Sequence, residues 1–188
     1  MTKTPTALDL PMVDPLPDAT QKYFDICTDK LGMIPNVLQA YAFDIEKLNV
    51  FTGLYNDVMF AESGLSKLER EMIAVTVSSI NKCFYCLTAH GATVRQLSGD
   101  PKLGEALVMN WRVADLDARQ HAMLQFSELM TINSASISET NRDALRQVGF
   151  SDRDIWDIAA TASFYNMTNR MASATDMRPN DEYHALAR

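Results

Sequence analysis

Cys83 and Cys86 stand three residues apart, His90 follows the second cysteine by four, and Glu71 precedes the first by twelve. The run from Glu71 to His90 (E-M-I-A-V-T-V-S-S-I-N-K-C-F-Y-C-L-T-A-H) holds two of the chain's three cysteines and one of its three histidines. On a helix, Cys83 and Cys86 share a face at i, i+3, and Cys86 and His90 share one at i, i+4. A thiol in the first turn of a helix feels unpaired amide N–H groups and the positive end of the dipole, and both favour thiolate. A thiolate attacks a peroxide oxygen and becomes a sulfenic acid; a second cysteine one turn away condenses with it to a disulfide. His90 offers a proton shuttle. Glu71, brought over from the preceding helix, offers a proton acceptor or a group that orients water. Together these residues make a dithiol with a proton relay.

Each part has a plainer reading. A C-x-x-C pair is often half of a zinc site, but closure takes four ligands. Only Cys83, Cys86 and His90 are local, with no second C-x-x-C or H-x-x-x-H, so no metal is expected. Glu71 as a solvated helix residue competes with a buried or cleft-facing carboxylate, and its neighbours Met72, Ile73, Val75 and Val77 favour the second. Cys27 lies in an apolar stripe and reads as core. The eleven methionines and the Tyr/Phe stripe of residues 41–60 read as core or subunit contact. His121 and His184 have no partner at a useful spacing. No Gly-rich phosphate loop and no haem or flavin motif is present, so no cofactor is expected.

These residues need a scaffold, and 188 residues with 47% apolar composition supply one sizeable core. A net charge of −7 without any basic run argues against nucleic acid. No long uncharged apolar stretch implies a membrane span, and M-T-K-T-P-T-A-L-D-L-P lacks the apolar core of a signal peptide. Cysteine usage does not match a secreted disulfide framework, so the expected compartment is cytoplasmic.

The spacing predicts an all-α chain. Four prolines within residues 1–17 give an extended N-terminal arm (1–18) that packs on the body or on a partner. A helix from Thr20 stops at Gly32, Pro35 starts a short one through Tyr41, and Asp44 caps a long one that ends before Gly64. Ser66 and Glu69 form a capping-box pattern. Asn81 ends that helix or caps the next, which begins at the cysteines and runs to Leu97. Pro101, then Asp115 or Asp117, then Ser138 and Ser151 open the remaining helices, the last running from Asp152 to Ala174. The expected domain is 19–175, with a redox core over 65–98. The tail 176–188 is expected to be loosely held or docked on a neighbour. An echo at an offset of 85 residues pairs Leu65-Ser66…Asn81 with Phe150-Ser151…Asn166, predicting a duplicated helix pair. In its second copy (150–175), Trp156, Thr168, Met171 and Thr175 replace Glu71, Cys83, Cys86 and His90.

E-x11-C-x-Y-C-x3-H, with V-S-x2-N just ahead of the first cysteine, resembles the AhpD-like alkylhydroperoxidase core of the carboxymuconolactone decarboxylase superfamily. G-M-I-P-N-V-L-Q-A-Y (32–41), L-Y-N-D-V-M (54–59) and L-S-K-L-E-R-E-M-I-A (65–74) are similar to its branch of uncharacterized peroxidase-related proteins. The likeness covers about residues 19–174. It implies an all-helical fold, a homo-oligomer (dimer, trimer or hexamer), and thiol-dependent reduction of hydroperoxides. It also implies regeneration by a disulfide-exchanging reductant protein or small dithiol. Residue by residue, it implies a Cys83–Cys86 redox pair and a Glu71/His90 relay, with Asn81 and Tyr85 in support. It implies attack by Cys86 and resolution by Cys83, whereas dipole reasoning alone favours Cys83. The chain departs from the pattern at Tyr85, where the alkylhydroperoxidase carries histidine; a phenol with a pKa of about 10 is a poor base at neutral pH. Competing expectations are a dithiol reductase that never meets peroxide and a redox-sensing oligomer without turnover.

Overall fold

Caps and glycines divide the chain into helices. The computed structural model describes residues 5–188, so the first four residues of the expected arm lie outside it. Among the described residues there is no strand. The helices are α1 (Asp18–Leu31), α2 (Asn36–Tyr41), α3 (Ile45–Phe60), α4 (Lys67–Ile80), α5 (Phe84–Ser98), α6 (Pro101–Asn110), α7 (Ala118–Asn133), α8 (Glu139–Gln147), α9 (Asp152–Ala174) and the single turn α10 (Glu182–Ala185). Two 3-10 turns follow α6 and α7. The capping box at α4 is reciprocal: Ser66 Oγ accepts from Glu69 N at 3.1 Å, and Glu69 Oε2 accepts from Ser66 N at 2.7 Å. Asp117, not Asp115, caps α7. Gly32 and Gly99 adopt φ of +73° and +66°, the left-handed geometry that closes a helix without a Cβ penalty. α1 begins at Asp18, two residues ahead of the predicted start, because Pro17 already supplies the capping geometry.

α4 is the central helix. Every residue from Glu69 to Ser78 is buried, and α5, α6, α7 and α9 pack around it. A helix enclosed on all sides needs its charges answered locally. Arg70 donates to the carbonyls of Val58 and Ala61, fastening the end of α3. Glu69 accepts from Arg119 of α7 at 2.9 Å. Met72, Ile73, Val75 and Val77 fill the interior with Leu107, Met123, Leu124 and Ile158.

The 85-residue echo holds at the caps but not as a helix pair. Ser151 and Asp154 repeat the Ser66–Glu69 box, and Asn81 meets its counterpart Asn166 at 3.0 Å. After that asparagine the copies diverge. Lys82 takes φ +57° and breaks the chain between α4 and α5, whereas α9 runs unbroken through the equivalent Met167 to Ala174.

Both ends lie against the helical body. Ala7 N donates to Thr175 O, Arg178 N to Pro5 O and Val13 N to Ala42 O, so the arm packs on the body. The C-terminal segment docks on its own chain and is not loosely held: Met177 is buried, and the hydrogen bonds of Asn180 and Arg95 fasten it.

Candidate active site

The turn between α4 and α5 builds the thiol site. Asn81 closes α4, Lys82 reverses the chain, and Cys83, with φ −78° and ψ 100°, becomes the N-cap of α5. Its sulfur accepts the backbone N–H of Cys86 at 3.5 Å, the place a serine or aspartate oxygen takes at most helix starts. Cys83 N donates to Ser78 O at 3.0 Å, which locks the turn. Both sulfurs are free thiols with little surface, Cys83 1% and Cys86 4% exposed.

The pair shares its protons unequally. The Cys86 thiol donates to the Cys83 sulfur. Aided by the Cys86 backbone N–H, the charge of His90 and the Asn169 side chain, this outweighs burial and draws Cys83 from 9.0 down to about 7. Cys86, whose proton serves Cys83 and whose sulfur is buried, is pushed well above the ordinary thiol range. The two titrate as one unit, the first proton leaving near neutrality.

α9 holds the turn in place. Asn81 Nδ2 donates to Asn166 Oδ1 and Asn169 Oδ1, each at 3.0 Å, and Asn169 Nδ2 donates to Ser78 Oγ at 2.9 Å. Asn81 therefore ties the α4–α5 turn to α9.

Glu71 and His90 meet across α4 and α5. Glu71, 5% exposed, places Oε2 at 2.7 Å from His90 Nδ1. A carboxylate accepts, so Nδ1 carries a proton and Nε2 is the ring nitrogen left to exchange protons with the site. Tyr165 of α9 stands edge-on to the imidazole, ring centroids 4.7 Å apart. Its hydroxyl lies 3.4 Å from Nδ1 and donates to Met59 Sδ at 3.4 Å.

These groups line one cavity of about 580 Å³. Cys86, Glu71 and His90 face it, and Cys83 does not. Its walls are largely apolar, with Tyr41, Phe51, Tyr55, Phe164 and Tyr165 among them, and the exposed Leu31, Phe60 and Leu97 also line it. Cys27 packs in the core as expected and also reaches this wall, where burial raises its thiol.

Tyr85 serves a different neighbour from the sulfurs. Pro35 gives α2 no side-chain cap. The first amides of α2 are satisfied from elsewhere: Val37 N donates to Tyr85 Oη at 3.0 Å, and Asn36 N to Asn180 Oδ1 at 2.7 Å. The phenol between the two cysteines thus anchors the cavity wall. His121 packs edge-on to Trp111, and His184 lies beside Phe84, both away from the relay. Among the described residues no three His, Cys, Asp or Glu side chains are grouped to hold a metal ion. Among the described residues no helix is long and apolar enough to cross a membrane.

Sequence reasoning did not single out Tyr165, Asn169 or Ser78. The available signal was the pair Asn166 and Asn169 inside an apolar helix, since a buried amide calls for a partner. Tyr165 carried no such mark.

Residues 46–126 match the carboxymuconolactone decarboxylase family, a span that holds Glu71, Asn81, Cys83, Tyr85, Cys86 and His90. The chain belongs to this family, in its AhpD-like, peroxidase-related branch. It is 72% identical to an uncharacterized peroxidase-related protein from Silicibacter sp. TM1040, over 99% of this chain and 97% of that one, with a TM-score of 0.97. It is 36% identical to an AhpD-core peroxidase-related protein from Ralstonia eutropha JMP134, over 99% and 98% of the two chains, with a TM-score of 0.94. The debrominase Bmp8, solved with 2,3,4-tribromopyrrole, shares the fold at 18% identity, over 98% and 97% of the two chains, with a TM-score of 0.80. No curated protein matches.

Proposed function

We propose that the protein is a cysteine-based peroxidase that reduces hydroperoxides through a Cys83–Cys86 dithiol–disulfide cycle. The observation that carries this reading is that Cys86, Glu71 and His90 face one cavity while Cys83 stands behind Cys86. Cys83, the member of the pair that ionises first, accepts the Cys86 proton as the Cys86 sulfur attacks the terminal peroxide oxygen. The O–O bond breaks, Cys86 becomes a sulfenic acid, and the leaving alkoxide is protonated through His90 Nε2, which relays from solvent the proton that Cys83 gave up on ionising. Glu71, accepting from Nδ1, orients the imidazole and supports the protonated ring that forms while Nε2 carries this proton. Cys83 then attacks the sulfenic sulfur, releasing water and closing the disulfide. An external reductant, a disulfide-exchanging protein or a small dithiol, restores the pair. The net reaction is hydroperoxide plus dithiol to alcohol, water and disulfide. Assembly as a homo-oligomer is part of the same proposal and rests on the family likeness.

The apolar cavity, with its several aromatic side chains, favours one further reading, reductive dehalogenation of a halogenated aromatic, the class of compound named with the debrominase. There the carbon–halogen bond breaks, the carbon gains a proton, halide leaves and the dithiol becomes disulfide.

Steady-state turnover of several hydroperoxides with a dithiol reductant tests the proposal. Cys86→Ser abolishes turnover, and Cys83→Ser leaves a single-turnover sulfenic acid that dimedone traps. Glu71→Gln lowers kcat/KM by about a hundredfold, the scale of a lost general acid–base device. Disulfide exchange without hydroperoxide consumption would establish a dithiol reductase instead. Redox-dependent assembly without turnover would establish a sensor, and halide release from a bromopyrrole without peroxide turnover a dehalogenase.

A further inference from the structure

One wall of the cavity comes from outside the helical body. Met177, Tyr183 and Leu186, all beyond the end of α9, line it together with Cys86 and His90. Tyr183 also packs on the cluster formed by Cys83, Tyr85, Cys86 and Ala89. It lies near enough to Glu71 that the carboxylate, second to burial, helps push its phenol up to about 12.

This segment is fastened at two points. Asn180 accepts from Asn36 N at 2.7 Å and donates to Ile34 O at 2.9 Å. Further along, Arg95 Nε donates to Leu186 O at 3.1 Å, and Arg95 Nη2 donates to Leu186 O and Tyr183 O at 2.9 and 3.1 Å. Arg95 is 7% exposed and sits on α5 nine residues after Cys86. Its hydrogen bonds go to main-chain carbonyls and not to a carboxylate, which is an expensive way to bury a cation unless the geometry it fixes matters. Room for it comes from Gly104 of α6, where a Cβ would stand 2.8 Å from Arg95 Cγ and 3.2 Å from Gly91 O. The helix that carries the reactive thiol therefore also carries the clasp of the segment that walls its cavity.

We propose that the C-terminal strap, residues 177–186, is the specificity wall of the site. Tyr183 sets the upper size of the apolar substrate that reaches Cys86, and Arg95 is the positioning residue that seats it. The inference rests on Cys86 being the attacking thiol, and it goes beyond that reading by assigning substrate size to a segment outside the helical body.

The test measures two ratios in wild type, Tyr183→Ala, Tyr183→Phe, Arg95→Ala and Arg95→Lys. The first is kcat/KM for cumene hydroperoxide over that for hydrogen peroxide. The second is the rate of Cys86 alkylation by N-(1-pyrenyl)maleimide over that by iodoacetamide, with the modified cysteine identified by peptide mass spectrometry. Both ratios are expected to rise about tenfold in Tyr183→Ala and Arg95→Ala, the scale on which pocket size discriminates substrates. Tyr183→Phe keeps the wall and stays within about twofold of wild type. Arg95→Lys, which lacks the fork, falls between. Ratios unchanged in Tyr183→Ala overturn the proposal, and that variant decides the matter even if Arg95→Ala fails to fold. Hydroperoxide turnover with no shift in either ratio sinks the strap and leaves the peroxidase. A shifted alkylation ratio with no turnover of any hydroperoxide sinks the peroxidase and leaves the strap.

Discussion

Replacing Cys86 with alanine should return Cys83 toward ordinary thiol behaviour. In the native pair Cys83 is drawn from 9.0 to about 7, chiefly by the hydrogen bond from the Cys86 thiol. At pH 7 a group with that value is roughly 50% thiolate, against about 1% for an unperturbed thiol, a gain of about fiftyfold in the reactive form. Each thiolate is intrinsically weaker, because nucleophilicity falls with pKa at a slope of about 0.4–0.5, which costs roughly eightfold over this interval. The net advantage at pH 7 is about sixfold. Thiolate absorbance near 240 nm, followed across the neutral and alkaline range on reduced protein, reads the titration directly. Wild type shows one thiolate per chain with a midpoint near 7, and its partner, pushed well above the ordinary range, does not ionise with it. Cys27 stays silent through that step because burial raises it. In Cys86→Ala the donor to the charged form is gone, so the Cys83 midpoint moves up and the thiolate fraction at pH 7 falls. The difference from wild type is greatest between the two midpoints and disappears above both. The return is partial, since the amide of residue 86 and His90 still favour the charge. Two thiolates rising together near 9, or an unmoved midpoint in Cys86→Ala, would refute the shared-proton account.

Two further substitutions probe the supports. Tyr165→Phe keeps the ring against His90 and removes the hydroxyl 3.4 Å from Nδ1 and from Met59 Sδ. Unfolding in urea should show a loss of about 1 kcal/mol, and hydroperoxide kcat/KM should fall by no more than about tenfold. A loss as complete as that of Cys86→Ser would contradict a positioning role. Tyr85→Phe strips the acceptor from Val37 N. It should destabilise the fold by about 1–3 kcal/mol, read from the urea midpoint, because an amide at the start of α2 is left unpaired. An unchanged midpoint would show that α2 does not depend on this cap.

What could be read from the chain alone is what a helix enforces locally. Ser66 with Glu69, Ser151, Gly32 and Gly99 mark ends because caps and left-handed turns act within a few residues. The C-x-x-C pair at the mouth of α5, and His90 one turn from Cys86, follow from fixed i+3 and i+4 neighbours. The apolar setting of Glu71 announced its burial in the same way. The rest arises where distant segments meet. Glu71 touches His90 only because α4 and α5 pack face to face across the break at Lys82. Tyr165 and Asn169 arrive from α9, and Tyr183 from beyond it, with no periodicity to announce them. Which sulfur faces the cavity depends on how α5 is rotated against α9 and the strap, and that rotation is set by the volumes packed between them. Local geometry therefore placed the two sulfurs side by side, and only the packing of remote elements decided which of them a substrate can reach.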